Sequence, residues 1–189
     1  MVIAIEKVGG GNCEVSGGFV DSEVYVGFLE DFTSLTEPKE ICSNSAITVA
    51  RTVSELVTIT TSHSFKTAAV SFIKIKAIAE SVGLETNQIG KNSPVQENKL
   101  TVQMLGSKPD ILGFKRLCKG RDLVVLANEF ESGQIRQIGS AKYAGRLLES
   151  SSKIEPSLDG DNTTTLVFAD KQLYDAPIYK GNIAVRPGA

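Results

Sequence analysis

"GRDLVVLANEFESGQIRQIG", residues 120–139, is the stretch on which the fold turns. Leu123, Val124, Val125, Leu126 and Ala127 are all apolar. A strand of that composition has no face left for water and must be covered on both sides. Gly133 and its polar neighbours read as a turn, and "QIRQIG" (134–139) as the returning strand of a hairpin. The segment therefore predicts a mainly β protein in which this hairpin lies inside, between other layers.

Immediately before it lies the one well-specified helix. Ser107 precedes "KPDILGFKRLCKG", and Asp110 three residues on gives the S-x-x-D form of a capping box. Pro109 falls in the first turn, where a missing N–H is tolerated. Ile111, Phe114, Leu117 and Cys118 make an apolar stripe, and Lys115, Arg116 and Lys119 bring positive charge to the carbonyl end of the dipole. Gly120 is a natural stop. Gly113 opposes the helix by about 1 kcal/mol relative to Ala. A helix over about 108–119, packed on sheet, is expected.

Strand patterns dominate the rest. "VSELVTITTSHSF" (53–65) alternates as one strand, with Val53, Glu55, Val57, Ile59, Thr61, His63 and Phe65 on one face. "FIKIKAIAE" (72–80) sets Ile73, Ile75, Ala77 and Ala79 against Lys74, Lys76 and Glu80. "KLTVQMLG" (99–106), "TTTLVFA", "APIYKG" and "IAVRP" read as further strands. Between the strands at 72–80 and 99–106 lies a long polar segment with Gly83, Gly90 and Pro94. If the flanking strands pair, it projects as an arm over about 81–99; Leu84, Ile89 and Val95 are apolar residues that a solvated loop has little use for. "DGDN" (159–162) has the chemistry of a tight hairpin turn. Its resemblance to a calcium loop fails at Thr164 and Asp170, where Gly and Glu belong.

The 189 residues suit one domain, 1–189, with the Gly-rich "GGGNCEVSGG" (9–18) setting off 1–18 as a candidate N-terminal arm. A hydrophobic content of 41% with 22% charged residues is that of a globular protein. Twenty basic and 22 acidic residues leave a formal charge of −2, which argues against tight binding to nucleic acid or an anionic membrane. "MVIAIEKVGG" lacks the pattern of a signal peptide, and no apolar run approaches the roughly 20 residues that span a bilayer. Cys13, Cys42 and Cys118 are odd in number and far apart, so free buried thiols in a reducing cytoplasm are expected.

Catalytic and binding motifs fail one after another. His63 is the only histidine, which rules out a His-rich metal site, and no zinc spacing of Cys and His is present. There is no Gly-x-Ser-x-Gly elbow. "GGGNCE" lacks the third glycine of a dinucleotide loop, and "IGKNS" places Asn92 where a phosphate loop carries Ser or Thr. The expectation is a protein that is not an enzyme, with no catalytic, metal or cofactor site and no cofactor.

From about residue 24 to 181 the order of segments resembles the tail tube proteins of long-tailed bacteriophages, particularly the divergent versions in phages and prophages of Bacteroidetes-like bacteria. The residues that carry this are "EVYVGFLEDFT", "ITTSHSFKT", the arm-sized insertion, "KPDILGFKRLCKGRDLVVLA", "ESGQIRQIGS" and "DGDNTTTLVFADKQLYDAPIYKG". "KTAAVSF" departs from the pattern, having no glycine in the turn before the next strand. The resemblance implies a β-sandwich or partial barrel with one flanking helix. In it the strand 123–127 would lie between the helix and the opposite sheet. It further implies homo-oligomeric rings, usually of six in that family, whose inner strands join into a barrel around a channel for DNA. Rings would stack through the arm, with inter-subunit contacts expected at Leu84, Ile89, Lys91, Val95 and Glu97. The implied setting is the virion tail, among other tail proteins, after synthesis in the host cytoplasm, with no membrane partner. A head–tail joining or capsid-associated protein and a β-sandwich ligand-binding module are the alternatives.

Overall fold

The computed structural model describes residues 18–19, 23–42, 48–67, 69–92, 94–129, 133–156 and 162–186. Its strands are β1 (Glu23–Phe28), β2 (Phe32–Ser34), β3 (Thr58–Ile59), β4 (Ser64–Phe65), β5 (Ile73–Lys76), β6 (Gly83–Gln88) and β7 (Gln96–Leu105), then β8 (Leu123–Asn128), β9 (Ile135–Ile138), β10 (Arg146–Ile154), β11 (Asn162–Gln172) and β12 (Ile178–Tyr179). The helix α1 (Pro109–Cys118) lies between β7 and β8. Among the described residues the fold is mainly β with one α-helix, as the sequence predicts.

The doubly apolar strand β8 sits inside a six-stranded sheet of order β3-β12-β9-β8-β1-β5. It pairs antiparallel with β1, Val125 facing Val26, and with β9, Val125 facing Ile138. Successive residues point to opposite faces, so β8 feeds two separate cores. Leu123, Val125 and Ala127 join Val24, Val26, Ile138, Leu100, Val102, Met104, Leu166 and Phe168. Val124 and Leu126 join Tyr25, Phe32, Ile59, Phe72 and Tyr179.

This corrects the expected layering. Ile111, Phe114 and Cys118 of α1 belong to the same core as β7 and β11, so helix and opposite sheet lie on one side of β8. The other side is covered by an aromatic layer from the paired short strands β2 and β4 and from Phe72 just before β5. Phe32 stacks on Phe65 at 4.4 Å, and both meet Phe72 edge-on. Gly27 belongs here for lack of a Cβ, which would stand 2.7 Å from the Phe32 ring.

The opposite layer is a four-stranded antiparallel sheet of order β10-β11-β7-β6. β7 and β11 run 10 and 11 residues with strict alternation of buried and half-exposed positions. The expected strand at 53–65 breaks into a 3-10 turn (Ser54–Leu56) and the two-residue strands β3 and β4. Its alternation is real, but Ile59, His63 and Phe65 are drawn separately into the aromatic layer. The strand at 72–80 ends at Lys76, where the chain crosses between sheets through a bond from Ile78 N–H to Gln103 O.

The arm is corrected too. β5 pairs with β1 and not with β7; the hairpin partner of β7 is β6, inside the segment read as loop. The capping box does not form. Lys108 is the N-cap, without a side-chain bond, and Ser107 lies one residue too early to reach the helix amides. Gly120 does stop the helix, at φ +76°. Residues 159–161 of the "DGDN" turn and the 1–18 arm up to residue 17 lie outside the described residues.

Candidate assembly surface

The four-stranded sheet carries the longest edge strands among the described residues, β10 and β6. Its inner face carries Leu100, Val102, Met104, Leu166 and Phe168 into the core. On its outer face the register aligns Glu85 with Lys99 and Lys99 with Ala169, then Thr101 with Val167, and Gln103 with Thr165 and on to Ser151. These are small or polar residues with both signs of charge. Glu97 reaches Lys99 at 3.0 Å and Lys171 at 3.7 Å. Its carboxylate holds the Lys99 ammonium above its ordinary value. The face has no continuous basic track.

Both edges of this sheet are open among the described residues. β10 pairs only with β11, and β6 only with β7. β10 is nine residues long, and every one but the half-buried Leu147 is exposed. A bulge at Leu148 puts that side chain, 52% exposed, at the free edge. Such an edge presents unpaired N–H and C=O groups and is a template for another strand. At the other edge the isolated bridge of Phe19 to Val82 touches the chain just before β6 begins.

The two ends of the sheet differ. At one end the β6–β7 hairpin closes through Ile89 N–H to Val95 O, 2.9 Å. At the other end stand Leu105, facing Thr163, and Ile154, facing Asn162, at 72% and 68% exposure.

The five residues expected at inter-subunit contacts separate. Ile89, Lys91 and Val95 sit at or beside the hairpin tip, Lys91 exposed and the two apolar residues half-buried. Leu84 turns inward against the chain's own core, and Glu97 is engaged with two lysines of its own sheet. The sequence reading missed β10 altogether, because "RLLESSSKI" carries no alternation. The signal was indirect: an 11-residue alternating strand such as β11 needs a partner on each side.

Polar groups lock the two sheets together below this surface. Asn98 of β7 donates to Asp170 Oδ1 of β11 at 2.8 Å and accepts Ala176 N–H at 3.0 Å. Thr86 of β6 donates to the same Asn98 oxygen at 2.7 Å. Burial raises the Asp170 carboxyl from 3.8 to about 6, against three hydrogen bonds that pull the other way. His63 is buried in the aromatic layer, stacked on Tyr179 at 4.6 Å. Burial pushes its imidazole below its ordinary value. Burial pushes the Cys118 thiol up to about 12, whereas Cys42 is exposed. Among the described residues no group of three or more His, Cys, Asp or Glu is placed to hold a metal ion. Among them, too, no helix is long and apolar enough to cross a membrane.

Comparison with protein-family models, with curated proteins and with solved structures finds no match for this chain.

Proposed function

We propose that the chain is a structural subunit of a bacteriophage tail tube, which closes into rings through its four-stranded sheet and stacks those rings around a channel for DNA. The observation that carries this reading is the pair of open edges on one long-stranded sheet. Joining β10 of one copy to β6 of the next removes both edges at once, and repetition around a ring closes the sheet into a barrel. The polar outer face, with charges already paired within it, then lines a lumen that gives phosphates nothing to adhere to.

The ends of the sheet supply the stacking contact. The tip around Ile89, Lys91 and Val95 points to one end, and the exposed Leu105 and Ile154 wait at the other. Such a head-to-tail contact repeats without limit along an axis.

Negative-stain microscopy of the purified protein tests the reading. Rings or tubes are expected. A protein that stays monodisperse and monomeric at high concentration, with no tubes under any condition, overturns it.

A further inference from the structure

The free edge of β10 carries its own complement. Gly106 N–H donates to Asn162 O, which turns the backbone groups of Asn162 toward β7. Such groups alternate in direction along a strand, so those of Thr163 and Thr165 face β10, where Lys153 and Ser151 meet them. The N–H and C=O of Ser150, Ser152 and Ile154 are left pointing away from the sheet. No strand among the described residues pairs with them. Side chains alternate too. Glu149, Ser151 and Lys153 stand on the outer face, opposite Val167, Thr165 and Thr163, whereas Ser150 and Ser152 stand on the inner one, opposite Leu166 and Thr164. At either end of this run lies an exposed apolar residue, Leu148 and Ile154.

We infer that β10 pairs antiparallel with β10 of a second copy, about a two-fold axis at Ser151. In that register Ser150 of each chain exchanges backbone bonds with Ser152 of the other. Glu149 of each chain lies opposite Lys153 of the other, in the non-hydrogen-bonded positions where side chains come closest. Leu148 comes beside Ile154, so the exposed apolar residues of one copy cover those of its mate. Charge singles out this register. An axis at Glu149 or at Lys153 would set that charge against itself. An axis at Ser150 would leave Glu149 opposite Ser151, and one at Ser152 would set it against Glu155. Lys153 pairs with Glu155 within its own chain, but its side chain is largely open to water, and such a contact is readily exchanged for another. A contact along one short strand falls below the roughly 1,200 Å² of a stable interface, so the pair is weak and reversible.

The pair competes with the ring. A copy whose β10 is taken by another β10 cannot offer that edge to β6, so the two-fold form holds subunits back from a growing tube. Its formation does not depend on a tube.

Sedimentation equilibrium of the full chain at rising concentration tests this. A monomer–dimer equilibrium is expected. Glu149→Lys sets lysine against lysine and should weaken it about tenfold, and Glu149→Lys/Lys153→Glu should restore most of the loss. Both positions are exposed, so the melting curve should stay in place in both variants. A chain that remains monomeric, or a dimer indifferent to Glu149→Lys, overturns the proposal. Ser151→Cys with Cys13→Ser and Cys42→Ser gives a second readout. At the axis the two Cα atoms lie about 4.5 Å apart, within disulfide reach, and mild oxidation should join two chains there. Glu149→Cys in the same background places the thiols far apart and should join none. Equal cross-linking by the two variants, or none by Ser151→Cys, overturns the proposal. A tube sets β10 against β6 and brings no two copies of Ser151 together. Tubes that form without this cross-link therefore overturn the pair and leave the tail-tube reading intact.

Discussion

Asp170 on β11 accepts the backbone N–H of Gly139 at 2.5 Å, which ties the four-stranded sheet to the residue that follows β9 in the six-stranded one. The same carboxylate accepts Gln172 Nε2 on that oxygen and Asn98 Nδ2 on the other. A buried acid with this many donors joins the two layers, and it makes stability depend on pH.

The folded carboxyl titrates near 6, above the ordinary 3.8, so between these values the native state binds more protons than the unfolded one. Its contribution is fully present below about 3.8 and is lost as pH rises through about 6, by an amount on the order of 2–3 kcal/mol. Urea midpoints measured from pH 4 to 7 should show this fall. In Asp170→Asn it should vanish, while stability drops at every pH because the amide has one oxygen where the carboxylate has two: with that oxygen toward Gly139 and Gln172, its NH2 faces the Asn98 Nδ2 donor.

His63 imposes the opposite slope. Its Nδ1 accepts Thr36 N–H at 3.2 Å, and its Nε2 lies 2.8 Å from Gln137 Oε1, which can only accept. The ring is therefore the neutral Nε2–H tautomer, and protonation would set an N–H against that of Thr36. The folded value lies below 6.5, so this contribution is present above 6.5 and is lost as pH falls toward the folded value. An NMR titration should find the His63 midpoint below 6.5 with Nε2 carrying the proton. His63→Ala should cost about 2–3 kcal/mol, through the lost Tyr179 stack and an unpaired Gln137.

Two glycines should respond in opposite directions. Gly139 has φ +89°, and a Cβ there would stand 2.3 Å from Leu123 O and 2.6 Å from Gly145 N. Gly139→Ala should cost about 3 kcal/mol or more, since backbone on both sides cannot move aside. Gly113 in α1 has nothing within 4 Å of a built Cβ, and Gly113→Ala should raise stability by about 0.5–1 kcal/mol. Thermal melts of both variants check the pair.

Strand pairing at β10 should be separable from folding. Leu148→Lys/Ser151→Lys adds charge to an exposed edge whose side chains contribute little to the core. Each change should shift stability by no more than about 0.5 kcal/mol. Rings and tubes should disappear under the microscope while the melting curve stays in place. Replacing residues 89–95 by Asn-Gly should spare rings and abolish stacking.

Local pattern was enough to place β8 and its burial on both faces, because five adjacent apolar residues admit no solvent face. It also determined α1 to within a residue at each end, through Pro109, the apolar spacing and Gly120. These are local statements, and local physics suffices for them. Tertiary structure alone decided which layer covers which face of β8, that residues 83–88 are a strand, and that "RLLESSSKI" is one. The pairing of β6 with β7 and of β10 with β11 rests on backbone N–H and C=O groups that every residue carries, so side-chain pattern holds no record of it. The continuous strand read at 53–65 failed for the complementary reason: its alternation marks residues drawn into an aromatic core one turn at a time, a packing that depends on Phe32, Phe72 and Tyr179 from distant parts of the chain.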